Sequence, residues 1–555
     1  MALNRRERRR QARQARTTPG KAAAGGDLLT PALAHFQAGR MGDAEVACRA
    51  VLARSADHVR ALQLLAVLDQ RRGREDEAVA LSRKAASLRP DDPLIQFNLG
   101  TLLHRRGKTE DAIACLRRAI ALEPGHAAAL NNLATIIKSR GRADDAMALY
   151  RRAIAADPGL FMAQLNLGLL LGESGDRAGA IACLRNAAIL APDNAEVHLR
   201  LGIALAGAER YTEAVETYRR ALTIAPRSAT ALVNLGTALD ALGRGAEAEK
   251  SYRRAIEADP RFAPAQHNLG VVLKARGDID GAISAYRWAA DLDPEFAVTH
   301  YNLGVALNEA GAKTEAAECF RRALDRDPGM SAAAHLLASL SGATTPSAPS
   351  DYVAQLFDDY AERFDAHLTG ELGYVAPTLM RQTLDRLIEA PERFAATLDL
   401  GCGTGLAGAQ IHDRTARLVG VDLSPKMIAE ARKKNIYDRL EADEIVAFMD
   451  SCGETFDLFL AADVFVYIGD LTALFAAIAA RAGHDALLVF TVERLDRGDY
   501  RLNDTGRYAH GRGYIEKLST DAGFSIHSVE PAVTWRQGGA PVAGEIYVLQ
   551  SRRAC

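Results

Sequence analysis

Three glycines at alternate positions, directly after a short apolar run, form the stretch best suited to chemistry. The run resembles a buried strand, and Gly401, Gly403 and Gly405 follow it. Glycine lets a backbone turn tightly and lets a ligand touch bare peptide groups. A second apolar run ends at Asp422, whose carboxylate can accept hydrogen bonds from both hydroxyls of a ribose. The pattern predicts a nucleotide-type ligand at the carboxyl ends of two neighbouring parallel strands.

Two classes of ligand use such a loop. Residues 403–408 match the G-x-G-x-x-G pattern of dinucleotide-binding loops, which predicts NAD. Asp399 argues against NAD because it would lie close to a pyrophosphate, where like charge is unfavourable. It can instead bind the ammonium group of a ligand. The loop therefore favours a positively charged adenosine, with NAD as the alternative.

The string Asp399-x-Gly401-x-Gly403-x-Gly405, taken with Asp422, resembles motif I and the following acidic strand end of class I S-adenosylmethionine-dependent methyltransferases. The resemblance implies that the glycine loop and Asp399 hold the methionine part of S-adenosylmethionine and that Asp422 holds the ribose.

Later residues follow from the same resemblance. Met427 is expected near the adenine, and Asp443 is expected to accept from the adenine amino group, with Glu444 as the next choice. Asp463, at the end of the fourth strand, is expected beside the sulfonium together with Tyr467.

The segment from residue 397 onward alternates strand and helix, as a doubly wound α/β fold requires. It ends in an apparent hairpin (524–529 and 545–549), which is typical of class I methyltransferases and not of most NAD domains. The fold prediction is a helical solenoid followed by a doubly wound, seven-stranded methyltransferase sheet with an N-terminal helical cap.

The cap is predicted as two amphipathic helices, 351–368 and 375–388. Its first helix resembles the cap of bacterial methyltransferases that carry tetratricopeptide repeats. That resemblance implies that Tyr360 closes over the cofactor, while the alternative is that Tyr360 and Phe364 pack the cap on the sheet.

A sulfonium makes its methyl group a strong electrophile, so the main tasks of such a site are positioning and exclusion of water. A base is needed only if the acceptor arrives protonated. The candidates are Asp463, Tyr467 and His510, the last within residues 506–512. No metal is predicted.

Upstream, the sequence repeats itself every 34 residues. Leu99-Gly100 and its equivalents fall between evenly spaced prolines, Pro90, Pro124, Pro158, Pro192, Pro226, Pro260, Pro294 and Pro328. This is the signature of tetratricopeptide (TPR) repeats, which are helix–turn–helix units with small residues where helices approach closely. We expect nine units and an end helix, the first unit being degenerate because Ala56 replaces the proline.

One repeat position carries asparagine in most units. An amide can donate to and accept from an extended peptide backbone. The series resembles the peptide-holding groove of the TPR domain in O-linked N-acetylglucosamine transferases, although asparagine here could also bond only within its own repeat. The predicted groove residues are Asn98, Asn132, Asn166, Asn234, Asn268 and Asn302.

Composition limits the partners. Residues 1–26 carry a charge of +7 in a chain of −2, so the remainder, at −9, has no general affinity for polyanions. The basic stretch is either a solvated disordered tail or an electrostatic tether to RNA or anionic lipid. No apolar run reaches the roughly 18 residues that span a bilayer. The seven scattered cysteines favour a reduced cytoplasm without structural zinc.

The predicted domains are a disordered basic tail (1–22), a TPR solenoid (23–340), a linker (341–350) and a methyltransferase domain (351–555). The leading hypothesis is a cytoplasmic methyltransferase whose repeats recruit a protein or peptide, either substrate or partner. The alternative is a TPR scaffold whose C-terminal domain senses the cofactor or is inactive.

Overall fold

The structure is a computed structural model that describes residues 29–358, 361, 364–365, 374–387, 393–537 and 540–552. The chain divides into two compact units, Met1–Ala258 and Asp259–Cys555. The second unit therefore contains the end of the repeats together with the whole α/β domain. The predicted tail and Tyr360 lie outside the described residues.

The described part of the first unit consists of fourteen helices, arranged as seven consecutive pairs. They are α1 Thr30–Gln37, α2 Met41–Arg54, α3 Val59–Arg71, α4 Glu75–Leu88, α5 Pro93–Arg105, α6 Thr109–Leu122, α7 Ala127–Lys138, α8 Ala143–Ala156, α9 Phe161–Glu173, α10 Arg177–Leu190, α11 Ala195–Gly207, α12 Tyr211–Ile224, α13 Ala229–Ala241 and α14 Gly245–Ala258.

The repeat signature explains how each pair forms. Polar side chains before several helices accept backbone hydrogen bonds, as Asp92 does from the N–H groups of Leu94 and Ile95. Within a pair, glycine allows close packing: a Cβ on Gly236 of α13 would lie 2.5 Å from the Tyr252 ring of α14.

The second unit begins with two more pairs and an end helix. These are α15 Ala263–Ala275, α16 Ile279–Leu292, α17 Ala297–Glu309, α18 Lys313–Arg326 and α19 Ser331–Ser341. The described residues thus contain the predicted helix pairs and the end helix, and the prediction of a helical TPR array is confirmed.

A nine-stranded sheet follows within the same unit. Its strands are β1 Thr397–Leu400, β2 Leu418–Asp422, β3 Arg439–Ala442, β4 Phe456–Ala461, β5 Ala482–Leu495, β6 Tyr500–Leu502, β7 Tyr508–Gly511, β8 Phe524–Gln537 and β9 Ala540–Ser551. Strands β3-β2-β1-β4-β5 are parallel neighbours in that order, and β9 joins β5 antiparallel with β8 beyond it. This confirms the predicted α/β fold.

Helices cover both faces of the sheet. They are α20 Ser350–Asp358, α21 Ala376–Leu387, α22 Leu406–Ile411, α23 Pro425–Lys433, α24 Ile445–Ser451, α25 Thr472–Arg481 and α26 Arg512–Asp521. Because strand side chains alternate between faces, Leu398 and Leu400 join one apolar cluster with α24 and α25, whereas Leu458 and Leu460 join another with α21. Asp399 therefore points away from the face that buries Leu398 and Leu400.

Two segments differ from the sequence prediction. The predicted sheet has seven strands, and the two further strands of the structure form the short hairpin β6–β7, whose second strand pairs in parallel with residues 493–495 of β5. The expected linker is bonded to the α/β domain along much of its length: the Pro346 carbonyl accepts from the N–H groups of Gly469 and Asp470 (2.8 and 2.7 Å). We call residues 342–349 the strap.

Candidate functional site

A cavity of about 560 Å³ lies at the carboxyl ends of the parallel strands. Its volume is in the range of small-molecule sites. Two groups of lining residues differ in origin. The strand-end lining consists of Gly401, Gly403, Asp422 and Glu444, which follow or end β1, β2 and β3. The strap lining consists of Ser347, Ala348, Phe357, Tyr467 and Arg507. Ser347 and Ala348 belong to the strap, and Phe357 belongs to α20. Tyr467 and Arg507 lie in two other segments, which are bonded to the strap or contact α20.

The glycine loop brings bare backbone to the cavity. Gly401, Gly403 and Gly405 have φ values of 62°, 55° and 90°, which glycine adopts without strain. A Cβ on Gly401 would lie 2.6 Å from the Val464 side chain, which also lines the cavity. Gly405 caps the start of α22 and does not line the cavity. The predicted loop is therefore in contact with the cavity through its first two glycines.

Asp422 is fixed by the loop that it faces. Its Oδ2 accepts from the Gly403 N–H (2.9 Å) and its Oδ1 from the Ser424 N–H (2.8 Å). Burial raises the pKa of this carboxyl group, and the two backbone N–H groups oppose that rise. A carboxylate has about four lone-pair sites, so Asp422 can still accept from ligand hydroxyls.

Asp399 lies close to the cavity but is not part of its lining. It is fully buried, and its Oδ2 accepts from the Tyr437 hydroxyl at 2.6 Å. Its Oδ1 has no hydrogen-bonding partner among the described residues. Burial raises its pKa to about 7, and the charge of Asp422 acts in the same direction. Tyr437, which the sequence analysis missed, is therefore hydrogen-bonded to Asp399 beneath the loop.

The expected adenine residues are placed unequally. Met427 is fully buried and does not line the cavity. Asp443 is exposed and accepts from the Glu444 N–H at 2.8 Å. Glu444 lines the cavity and also caps α24 by accepting from the Ala447 N–H. Glu444, the second choice, therefore lines the cavity in place of Asp443. The reason is that β3 ends at Ala442 and the chain turns there into α24.

Asp463 lines the cavity within a partly buried charge cluster. Its backbone has a φ of 63°, which is unusual for a residue other than glycine and occurs at strained functional positions. Its Oδ1 accepts from Arg507 at 2.7 Å, and Arg507 also donates to Glu493 at 2.7 Å. Although burial lowers it, these two carboxylates raise the pKa of Arg507 above its ordinary value.

Arg507 is the main residue that sequence reasoning missed. It belongs to residues 506–512, the segment from which His510 was chosen, but this segment alone does not show which of its side chains lines the cavity.

Tyr467 lines the cavity, and its hydroxyl accepts a long hydrogen bond from Arg507 (3.4 Å). Burial raises the pKa of Tyr467, so its hydroxyl stays protonated at neutral pH. His510 does not line the cavity: it is buried, and its Nε2 donates to the carbonyls of Ile468 and Gly469 (2.9 and 3.2 Å). Burial lowers the pKa of His510 to about 4, so its imidazole is neutral.

Parts of the predicted cap contact the glycine loop and the start of α23. Asp358 accepts from the Lys426 N–H and from the Ser424 hydroxyl. Asp365 accepts from Lys434 at 2.6 Å and from the Thr404 hydroxyl. Phe364 and Tyr374 line the cavity, whereas the predicted role of Tyr360 falls outside the described residues.

The repeat asparagines have mixed surroundings. In the first unit, Asn132 donates to the Thr101 hydroxyl and Asn166 to the Asn131 side chain, both in the preceding repeat. Asn234 donates to the Thr230 carbonyl of its own helix. Asn98 is exposed and lines a recess of about 110 Å³ with polar and apolar neighbours, among them Phe97. In the second unit, Asn268 and Asn302 are half-buried.

Among the described residues, no helix is long and apolar enough to cross a membrane.

Comparisons with known proteins match both parts of the chain. The family described as a methyltransferase domain matches residues 397–482. Families described as tetratricopeptide repeats match residues 97–160, 165–229, 267–331 and 205–270.

Two curated relatives match over short stretches. Human methyltransferase-like protein 27 is 35% identical over 85 residues, which are 15% of this chain and 34% of that protein. Trans-aconitate 2-methyltransferase of Escherichia coli O1:K1 / APEC is 61% identical over 36 residues, 6% of this chain and 14% of that protein. The chain thus spans about a third or less of the length of these relatives.

Among solved structures, YrrB, described as a TPR protein with an unusual peptide-binding site, is 25% identical and covers 34% of this chain and 96% of its own. Its TM-score of 0.29 is too low to support a conclusion about function. The family matches agree with the helical array and the sheet described above. The chain therefore carries tetratricopeptide repeats followed by a methyltransferase domain.

Proposed function

We propose that the protein is an S-adenosylmethionine-dependent methyltransferase whose repeats recruit a protein or peptide, either as substrate or as partner, in the cytoplasm. The observation that carries the proposal is the meeting of Gly401, Gly403 and Asp422 in one cavity at the ends of neighbouring parallel strands. Ligands of open α/β sheets bind at such strand ends.

The residues present fit the methyl donor. Gly401 and Gly403 leave the space that a side chain would fill, and Asp422 keeps acceptor capacity for ribose hydroxyls. Glu444 is the proposed contact for the adenine. The unpartnered Oδ1 of Asp399 is a buried acceptor near the loop, suited to an ammonium group. When bound, S-adenosylmethionine supplies a methyl group activated by a positive sulfur.

The chain's own contribution to transfer is to bind, orient and exclude water. The strap lining is mostly apolar and aromatic, with Phe357 packed edge-on against Tyr467. Of the three predicted bases, Tyr467 stays protonated and His510 lies outside the cavity lining. Asp463 is therefore the proposed proton acceptor for an acceptor group that arrives protonated.

The proposed role of the repeats is to bind an extended polypeptide. The recess at Asn98 and Phe97 in the first unit supports this role, because it combines an amide side chain with an aromatic surface. The hydrogen bonds of Asn132 and Asn166 to the preceding repeat indicate that these two amides are shared between repeat packing and any bound peptide.

Calorimetry with S-adenosylmethionine on the full chain tests the donor site. We expect binding by the native protein and a loss of affinity of about 100-fold or more in Asp422→Ala, because hydrogen bonds to a buried charged group are removed. Asp450→Ala, which removes an exposed carboxylate on α24, is the matched control and should change affinity less than about threefold. Absence of binding by the native protein would overturn the proposal, and an unchanged affinity in Asp422→Ala would overturn the site.

Transfer is tested separately. The full chain is incubated with radiolabelled S-adenosylmethionine and a lysate of its source organism, and the products are separated by size. Label in the macromolecular fraction supports a protein or peptide acceptor, whereas label in the small-molecule fraction assigns the repeats to partner binding alone. Binding without transfer to either fraction supports a domain that senses the cofactor.

A further inference from the structure

The Arg507 turn, residues 503–507, is held in place by α19, the end helix of the repeat array. His335 of α19 is buried, and its Nε2 donates to the Gly506 carbonyl at 3.1 Å. Gly506 has a φ of 78°, so the chain reverses direction immediately before Arg507 enters the cavity lining. The hydrogen bond from α19 therefore acts on the peptide group next to Arg507.

A second hydrogen-bonded route leads to the other ring nitrogen of His335, Nδ1. The Tyr508 hydroxyl and Thr345 Oγ1 lie 2.5 Å apart, and Thr345 Oγ1 lies 3.4 Å from His335 Nδ1. With Nε2 donating to a carbonyl, Nδ1 is the acceptor of the neutral ring. Burial lowers the pKa of His335, which keeps the ring in this neutral form. Helix α19, the strap and β7 are thereby joined around one imidazole.

The strap also holds the segment that supplies Tyr467. The Ala348 N–H donates to the Tyr467 carbonyl at 2.9 Å, and Ser347 forms an antiparallel bridge with Ile468. On the hairpin side, the Leu502 N–H donates to the Thr344 hydroxyl at 3.4 Å. The segments that carry Tyr467 and Arg507 are therefore both hydrogen-bonded to the strap, which directly follows α19.

We infer that His335 is a positioning residue for the methyl-acceptor side of the cavity: through the Gly506 carbonyl and Thr345, it holds the turn that places Arg507 against Asp463. The inference rests on the proposed methyl transfer for its consequence, but the geometry concerns this chain alone. It makes the end helix of the repeat array a structural part of the site.

The test compares three variants of the full chain. His335→Ala removes the N–H donor, and His335→Gln keeps an amide N–H at a similar reach. His300→Ala is the matched control, because His300 is also buried in a repeat helix and its Nε2 donates to a carbonyl, that of Pro294, at 2.9 Å.

Hydrogen exchange is the first readout. Peptides covering residues 503–508 should exchange about tenfold or more faster in His335→Ala, and within about twofold of the native rate in His335→Gln and His300→Ala. Equal acceleration in His335→Ala and His300→Ala would overturn the inference, since it would indicate general loosening of the repeats. Native exchange in His335→Ala would overturn it as well.

The second readout is methyl transfer from radiolabelled S-adenosylmethionine to the lysate fraction that takes up label with the native protein. In His335→Ala we expect kcat to fall about tenfold while the KM and the calorimetric Kd for S-adenosylmethionine stay within about threefold, with His335→Gln restoring most of the rate. A fall in donor affinity equal to the fall in kcat would overturn a role confined to the acceptor side. If the native protein binds no S-adenosylmethionine, the proposed function fails, and the exchange result still decides the positioning of the turn.

Discussion

The two linings of the cavity are built in different ways. The strand-end lining comes from residues that follow or end adjacent parallel strands, and backbone N–H groups at these strand ends fix its polar side chains, as Gly403 fixes Asp422. The strap lining brings together segments far apart in sequence: Arg507 reaches Asp463 across 44 residues, and its turn is held by α19. Donor binding should therefore depend on local loop geometry, whereas acceptor positioning should depend on tertiary contacts that include the repeats.

This difference has a consequence for how the chain divides. The predicted domain boundary at residue 350 would separate the strap and α19 from the segments that they hold. The compact unit Asp259–Cys555 keeps them together. A methyltransferase domain that begins at residue 351 would retain the strand-end lining and lose the hydrogen bonds of Thr345, Pro346 and Ala348 to the strap lining.

The largest expected effect comes from removing the charge that holds the strap lining together. Arg507→Met leaves Asp463 and Glu493 without their shared cation in a site where all three side chains are mostly buried. Breaking a buried ion pair in this way costs about 3–5 kcal/mol. We expect protection of the β5 amides in native-state hydrogen exchange to fall by a factor of about 10² to 5 × 10³.

Arg494→Met is the control for Arg507→Met. Arg494 lies on β5 and pairs with Asp496, but both side chains are exposed and the pair is screened by solvent, so its loss should leave the protection of the β5 amides close to the native value. If the two variants lowered protection equally, the cluster of Arg507, Asp463 and Glu493 would not be the element that stabilises the strap lining.

The next effect concerns the strand-end lining. Gly401→Ala places a Cβ 2.6 Å from a branched Val464 side chain at a φ of 62°, which alone costs about 1–2 kcal/mol for a residue with a side chain. Because Val464 also lines the cavity, we expect calorimetric affinity for S-adenosylmethionine to fall about 100-fold.

Gly453→Ala provides the comparison for the loop variant. Gly453 lies in the same domain, and no atom lies within 4 Å of the position that its Cβ would take, so the affinity of this variant should match that of the native protein. Native affinity in Gly401→Ala would mean that the loop backbone does not contact the methyl donor.

The contrast between the two linings also explains which parts of the molecule can be predicted from the sequence. The repeats and the glycine loop are predictable because their signals are local: a 34-residue period, and glycines that follow a strand. Five of the residues expected to share a site line one cavity because they end or follow parallel strands: Gly401, Gly403, Asp422, Asp463 and Tyr467. Their contacts with a cofactor or an acceptor stay predictions. The choice of Asp443 over Glu444 depended on the last residue of β3, and strand ends are poorly fixed by local sequence.

Arg507 could not be chosen from local signals. Its entry into the cavity requires the hairpin β6–β7, whose strands have three and four residues, too short to produce a recognisable alternation. The hairpin is stabilised by contacts with β5, the strap and α19, all of which are tertiary. His510 was a candidate because residues 506–512 resemble a phrase of the same family, yet its Nε2 donates to two backbone carbonyls and its side chain does not line the cavity.

The smallest expected effect lies beneath the strand-end lining, at Asp399. Its folded-state pKa, raised by burial to about 7 from an ordinary value of 3.8, lies above that of the unfolded chain. The neutral carboxyl group therefore contributes its full stability below about pH 4, and this contribution is lost as the pH rises through about 7. Asp399→Asn stays neutral and can still accept from Tyr437, so its unfolding free energy relative to the native protein should rise by about 1 kcal/mol per pH unit between pH 5 and 7 and level off above.

The ratio of β5 amide exchange rates in variant and native protein at each pH measures this difference, because intrinsic exchange cancels. The exposed Asp450→Asn, which also replaces a carboxylate, is the control against which the slope is compared. A flat ratio in Asp399→Asn would mean that Asp399 is ionised in the folded protein throughout this range. Asp399→Asn also tests whether Asp399 belongs to the donor site. Loss of S-adenosylmethionine binding together with a gain in stability at pH 8 would assign it there. The reason is that a buried charge kept at a cost to stability needs a cationic ligand to offset it.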